Sequence, residues 1–455
     1  MTQLESYITE HKDRFLEDLK GWLRIPSIST LPEHTGDVHQ AAAYAVDQLK
    51  AVGFERAELI STAGHPLVYG EWLQAPGKPT ILVYGHYDVQ PVDPIELWTT
   101  PPFEPTVRNE NIYARGAADD KGQVMLIFKA LEALMNVEGK LPVNVKVLIE
   151  GEEEAGGESI EHYIRTTPEP LKCDAAFICD THVPSKEIPA LIYGLRGIIY
   201  TEVEVYGAQQ DLHSGTYGGI APNPLHALAI IISRLKDADG HIHIPGLYEK
   251  LNKPTHAEKS FWQHDPLHMN EALREEMGVA QLSGELEYPP LERISARPTL
   301  EVHGISGGFI GEGAKTVIPA VAKAKISMRL PAEFKPDEIF ALFEQAVKEL
   351  APSDVTVKVT NLHSGEGVLV SPDTLPMKAA AAALTEVYGK EPVFLREGGS
   401  IPIAALFNEI LQVPVVLMGF GLPDDNLHAP NEKYSLSQFY NGIRTVTRFL
   451  QKMAL

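Results

Sequence analysis

Residues 80–88 read TILVYGHYD: a short uncharged run, a glycine, then a histidine and an aspartate around a tyrosine. A run of this kind predicts a strand buried on both faces. His86 and Asp88 then stand where that strand ends. The same grammar recurs downstream. Residues 143–149 (VNVKVLI) run into Glu150, Glu152, Glu153 and Glu154. Residues 175–179 (AAFIC) run into Asp180, and 413–418 (VPVVLM) precede a loop that holds His428. Helical spacing of apolar residues fills the intervals, over 38–52 before Gly53 and over 122–135, where Asp119 and Asp120 stand just ahead. Strands alternating with helices predict an α/β domain, a mostly parallel sheet with helices on both sides. In such sheets functional groups gather at the carboxyl ends of the strands, so these residues are expected to converge.

The middle of the chain has a different character. Residues 199–206 (IYTEVEVY) and 323–330 (KAKISMRL) alternate with period two, as do 355–362 (VTVKVTNL), and 299–303 form another short strand pattern. Helical patterns occupy 224–236 and 337–350. The order β-α-β-β-α-β is that of a ferredoxin-like sandwich, the split βαβ unit. A polar, proline-bearing stretch at about 240–297 interrupts it. After about residue 365 the α/β character returns, with helices at 377–388 and 436–450. The expected organisation is a discontinuous domain, 1–194 with 365–455, and a second domain, 195–364, inserted into it.

Composition narrows the function classes. The chain has 455 residues, too many for one hydrophobic core. Lysine and arginine number 39 against 61 aspartates and glutamates, a net charge of −22, which argues against nucleic-acid binding. No apolar run approaches the ~18–20 residues of a membrane span, and the charged N-terminus lacks a signal-peptide core. The only cysteines, Cys173 and Cys179, make no disulfide framework and read as buried thiols. The expectation is a cytosolic, multi-domain enzyme that binds neither membrane nor nucleic acid.

The converging groups are imidazoles and carboxylates, the donor set of hard and borderline divalent metals. So many acids brought together without a cation would raise one another's pKa. A pair of ions ~3.5–4 Å apart removes that penalty and makes a hydrolytic site. Competing signals are weaker. Residues 304–308 (GISGG) match GxSxG, but a glycine-rich segment ending in proline follows where the motif needs a helix. Residues 233–236 (SRLK) match SxxK on an amphipathic helix, and no phosphate-binding loop is present.

The segments GHYDVQP, ARGAADDKGQ, EGEEEAGG, the aspartate after AAFIC, DLHSG, KTVIP, SMRLP, REGGSIP and LHAPNE occur in that order from about residue 10 onward. Together they resemble the dizinc metallopeptidase family of carnosinase-type, cytosolic non-specific dipeptidases. That family also includes acetylornithine deacetylase, succinyl-diaminopimelate desuccinylase and aminoacylase. The long middle insertion is similar to the dipeptidase branch. The resemblance implies a zinc-exopeptidase-type catalytic domain with an inserted ferredoxin-like lid and dimerisation domain. It implies that His86 and Asp180 hold one zinc ion, that Glu154 and His428 hold the other, and that Asp119, joined to Asp120 by a cis peptide bond, bridges both. Asp88 would orient the His86 imidazole, Glu153 would be the general base, and Glu152 would stand outside the site. His213 would stabilise the oxyanion from across a homodimer interface. Arg329 would take the substrate carboxylate, helped by Thr316, Ser400 and the Gly399 backbone.

The expected activity is hydrolysis of small unblocked dipeptides. An N-acyl-amino-acid deacylase or desuccinylase would use the same centre, and a non-catalytic metal-binding scaffold would keep the fold. Manganese or cobalt would suit the ligands as zinc does. One departure stands out: the carnosinase-type enzymes carry a His-Pro-His pocket segment where this chain reads GVLVSPDTLPM, residues 367–377. His363 is the nearest histidine on the preceding side.

Overall fold

The strand Thr80–His86 is buried on both faces except at its first residue, as its uncharged sequence requires. It pairs in parallel with Asn144–Glu150 on one side and Ala175–Ile178 on the other. Val415–Leu417 continues the parallel set beyond Ala175–Ile178. The computed structural model to which these elements belong describes residues 2–264, 268–398 and 401–455. The chain divides into two compact units: 1–193 with 370–395 and 406–455, and 194–369 with 396–405.

In the first unit the sheet is mixed rather than mostly parallel. Leu67–Trp72 runs antiparallel to Asn144–Glu150, and Arg56–Ile60 antiparallel to Leu67–Trp72. Ala190–Leu195 meets Val415–Leu417 antiparallel and carries the chain onward. Of these, Arg56–Ile60 and Leu67–Trp72 follow each other through a short connection, which favours antiparallel pairing. Helices Lys121–Glu138, Leu375–Tyr388 and Leu436–Met453 pack together, the first almost wholly buried and closed by left-handed Gly139. Trp22, fully buried, stacks on Phe128 and donates its indole N–H to the Ala41 carbonyl at 3.0 Å, so the N-terminal helices belong to the same core.

The second unit holds an antiparallel sheet in the order Thr299–Gly307, Val321–Leu330, Gly197–Tyr206, Thr356–Gly365. With helices Pro224–Leu235 and Pro336–Leu350 this is the β-α-β-β-α-β order of a ferredoxin-like sandwich. One sheet face packs a core of Ile199, Val203, Ile326, Met328, Ile231 and Phe343. The other face carries Glu202, Glu204, Lys323 and Lys325, where Lys325 pairs with Glu202 at 2.8 Å and Lys323 with Glu204 at 2.5 Å. The stretch 240–297 is not a free appendage: Ile242, Ile244 and Leu247 enter the main core, while Trp262, Leu291 and Ala296 make a small core of their own. Residues 396–405 group with this unit rather than with the rest of 365–455, where Arg396 pairs with Glu258. Among the described residues no helix is long and apolar enough to cross a membrane.

Phe343 is fully buried in the second unit's core. Phe343→Ala is expected to cost about 3–5 kcal/mol, and amide exchange in Gly197–Tyr206 should speed up while that in Thr80–His86 stays near the wild-type rate.

Candidate metal centre

The parallel strands end level with one another. His86, the last residue of its strand, is in register with Glu150, and Tyr84 with Ile178, so Asp180 emerges at the same edge. The chain beyond Glu150 tightens into the single turn Glu153–Ala155, closed by Gly156 and Gly157, both at positive φ. Asp119 arrives immediately before helix Lys121–Glu138, and its peptide bond to Asp120 is cis. His428 lies in the loop after Val415–Leu417, at a left-handed φ of 59°.

Asp119 is the centre of the arrangement. Its Oδ1 lies 3.0 Å from His86 Nε2 and its Oδ2 3.0 Å from His428 Nε2. Asp180 Oδ2 is 3.8 Å from His86 Nε2, and Glu154 Oε2 is 3.4 Å from His428 Nε2. Two ligand triads result, His86–Asp119–Asp180 and Asp119–Glu154–His428, each with its donor atoms within 4.8 Å of one another. Each oxygen of the shared carboxylate belongs to one triad.

The surroundings orient these groups. His86 Nδ1 is 3.1 Å from the Asp88 main-chain carbonyl and 3.4 Å from Asp88 Oδ1. Both are acceptors, so Nδ1 carries a proton and Nε2 is the nitrogen turned to the carboxylates. Asp88 also accepts the Glu154 N–H at 3.1 Å, and Gln90 donates to Glu154 Oε2 at 2.6 Å. Gln123 joins two neighbouring loops, accepting from Phe420 N–H at 2.8 Å and donating to the Ala118 carbonyl at 3.2 Å. Gln90 and Gln123 escaped the reading of the sequence although both lie in segments quoted there, because amides carry no ligand signal.

The electrostatics call for a cation. Burial, then repulsion from Asp119, holds the Asp180 carboxyl well above its ordinary range. Burial also raises Asp119, but hydrogen bonds from His428 and His86 overcome it and hold this carboxyl far below. Hydrogen bonds to Asp119 and Glu154 push His428 up to about 10. Buried carboxylates that recruit imidazole protons in this way offer a divalent cation an oxygen- and nitrogen-rich seat, where it supplies the same compensation with more charge. The nitrogen and oxygen donors present therefore fit the group.

Three consecutive glutamates separate cleanly. Glu152 Oε1 accepts the His65 N–H at 2.8 Å and its Oε2 the Ser159 N–H at 3.1 Å, so it serves the backbone. Glu154 is in a triad. Glu153 is in neither, and burial pushes it up to about 7 among the charges of His86, Glu154 and Asp119. A carboxyl near neutral suits proton transfer at neutral pH.

In the second unit, Leu212–His213 pairs with Val317–Ile318, and Ser214 N–H donates to the Thr316 carbonyl at 3.0 Å, so His213 and Thr316 are neighbours. The exposed His213 accepts the Gly215 N–H on Nδ1 at 2.9 Å, which leaves its proton on Nε2 as an outward donor. Arg329 sits half-buried on the polar sheet face, in register with Ile198 and Thr299. Burial pulls its pKa down. His363 is level with Tyr200 on the neighbouring strand. Ser306 lies inside strand Thr299–Gly307, so no nucleophile elbow forms there. Gly399 and Ser400 fall outside the described residues.

A chain with this fold and these triads has the architecture of a metal-dependent peptidase. Residues 82–452 match the profile of peptidase family M20/M25/M40, and the chain belongs to that family. It is 34% identical over 473 residues to the Cys-Gly metallodipeptidase dug1 of Schizosaccharomyces pombe, covering all of this chain and 98% of that one. It is 33% identical over 471 residues to the human Beta-Ala-His dipeptidase, covering 98% and 92%. The solved structure of the di-peptidase Dug1p from Saccharomyces cerevisiae superposes with a TM-score of 0.82 at 30% identity, covering 100% of this chain and 98% of that one. The protein is a hydrolase of a family that uses divalent metal.

The sharing of Asp119 has a measurable consequence. Asp119→Asn is expected to abolish tight binding of metal altogether, because it removes a charged ligand from both triads. Glu154→Gln should leave one tight equivalent of two, as read by calorimetric titration of the metal-stripped protein with zinc.

Proposed function

We propose that this protein hydrolyses the peptide bond of small unblocked dipeptides at a centre of two divalent ions, zinc by preference, and that it works as a homodimer. The observation that carries the reading is the pair of triads sharing Asp119, with Glu153 beside them and outside both. The relatives named as Cys-Gly and Beta-Ala-His dipeptidases support the substrate class. His86, Asp119 and Asp180 would hold one ion, and Asp119, Glu154 and His428 the other. When bound, such a pair supplies Lewis acidity to a carbonyl and acidifies water.

The chain's own groups do the rest. Asp88 keeps the His86 imidazole in the tautomer that presents Nε2. Glu153 takes the proton of the attacking water and delivers it to the leaving amine, a transfer for which a pKa of about 7 is matched. His213, with its proton fixed on Nε2, is the donor for the developing oxyanion, and we assign it to the centre of the partner copy. Arg329 binds the substrate carboxylate through its two-pronged guanidinium, and the family resemblance assigns Thr316, Ser400 and the Gly399 backbone to assist it. In this reading the second unit is both lid and dimerisation domain. Cys173 and Cys179 are both free thiols, which suits a reducing cytoplasm.

A competition assay on zinc-loaded protein tests the reading. Free dipeptides, their N-acetylated counterparts and N-acyl amino acids are mixed, and their loss is followed by mass spectrometry. Loss of the free dipeptides is expected; loss of the acylated amino acids alone would transfer the protein to deacylation. Glu153→Gln should keep two equivalents of metal and lower kcat by about 10²–10⁴-fold. His213→Ala should lower kcat by about 10²–10³-fold. Mixing and re-forming dimers from the Glu153→Gln and His213→Ala chains should restore activity, since one site of each mixed dimer then has an intact base and an intact donor. Mixtures that stay as inactive as their parents would refute action across the interface.

A further inference from the structure

One buried acid of the first unit accepts four hydrogen bonds on its carboxylate and belongs to neither triad. Glu432 is 0% exposed and lies four residues after His428. Its Oε2 accepts from Arg115 Nη1 at 2.9 Å and from Gly116 N–H at 2.8 Å. Its Oε1 accepts from Ala118 N–H at 2.9 Å and from Asp119 N–H at 3.2 Å. Its main-chain carbonyl accepts the Ala114 N–H at 3.1 Å. Burial and the neighbouring Asp119 charge hold this carboxyl up at about 7 against the pull of Arg115 and the backbone donors. Every polar neighbour just named is a donor, so the ionised carboxylate is the form that fits.

The backbone over 114–119 is therefore wrapped around an anion supplied by the chain itself. Gly116, at a φ of 80°, gives the loop the turn that aims successive N–H groups inward. Glu432 is itself placed by the next three residues, since strand Lys433–Ser435 pairs with Asn111–Tyr113 directly before the loop. Arg115, 1% exposed, is held from its far side by the Pro91 carbonyl at 2.9 Å. One carboxylate thus links the loop that carries Asp119 to the loop that carries His428.

We propose that Glu432 is a positioning residue of the metal centre, an internal anion that sets the backbone of Asp119 and ties it to the His428 loop. The proposal rests on the metal-centre reading above. Because Asp119 belongs to both triads, a shift of its backbone acts on both ions at once. Glu432→Gln replaces one acceptor oxygen by an amide NH₂, which must then confront an N–H donor or turn away. Glu432→Asp keeps the charge and withdraws it by one methylene.

The test titrates metal-stripped full-length protein with zinc ion against a chromophoric chelator, at a temperature where each variant is folded by circular dichroism. Lys129→Met is the control. Lys129 is buried in the same unit, bonded to Asp18 at 2.7 Å and Gln48 at 2.8 Å, so its loss lowers stability without touching the centre. Glu432→Gln is expected to weaken both zinc equivalents by about 10–100-fold, the usual effect of losing a group that orients a ligand. Glu432→Asp should weaken both by less, and Lys129→Met should bind zinc as the wild type does while melting earlier. Wild-type zinc affinity in Glu432→Gln overturns the proposal. So does equal weakening in Glu432→Gln and Lys129→Met, which would reduce Glu432 to a stabilising residue. A wild-type protein that binds fewer than two equivalents overturns the metal-centre reading itself, and this inference falls with it.

Discussion

The position of one carboxylate governs this molecule. Asp119 is buried, yet each of its oxygens lies 3.0 Å from a different imidazole. Desolvating a charge costs several kcal/mol unless partners return that energy. The partners must come from elements far apart in sequence: a strand end for His86, another for Asp180, a turn for Glu154 and a distant loop for His428. The four-stranded parallel core exists in register to deliver them. The N-terminus of helix Lys121–Glu138, directly after Asp119, adds a favourable field for an anion. Burying an acid here therefore constrains the sheet, the helix and three loops together.

The second unit obeys a different constraint. Its sheet has one face covered by two helices and the other lined by charged side chains that pair across strands. Period-two alternation follows directly from that asymmetry. Lys323 and Lys325 are balanced by Glu204 and Glu202, and Arg329, two positions on from Ser327 along the same strand, is in register with Ile198 and Thr299.

Where the polypeptide has a strong period, the sequence was legible. The buried strands around 80–86, 144–150 and 175–178 and the alternating strands of the second unit were readable because uniform or alternating burial leaves a direct mark on residue choice. The strands Arg56–Ile60, Leu67–Trp72 and Ala190–Leu195 were not read. The first is short and largely exposed, so its sequence RAELI carries little of the burial pattern that marks a strand. Missing these flanking strands is what made the sheet look mostly parallel. At the centre, ligand types at strand ends were visible, and the family resemblance supplied their pairing. Geometry added what residue types do not encode: that Glu152 bonds two backbone N–H groups, that Gln90 touches Glu154, and that Glu432 gathers the loop of Asp119. These are contacts between elements separated by up to hundreds of residues, and no local pattern carries them.

The three glutamates at 152–154 condense the lesson into adjacent residues of identical chemistry. Glu152 meets two N–H donors and is consumed in holding its own loop against His65 and Ser159. Glu154 meets Gln90 and His428 and presents an oxygen to a triad. Glu153 sits between them, half-buried, with acids around it that oppose its ionisation and His86 that favours it. Anchor, ligand and proton acceptor differ only in which partners a single turn of 3-10 helix hands to each side chain. The tightness of that turn follows from the paired left-handed glycines 156 and 157, a conformation unfavourable for residues bearing a Cβ. The division of labour among the acids is thus a property of backbone geometry, and the chemistry of the centre depends on it as much as on the ligands themselves.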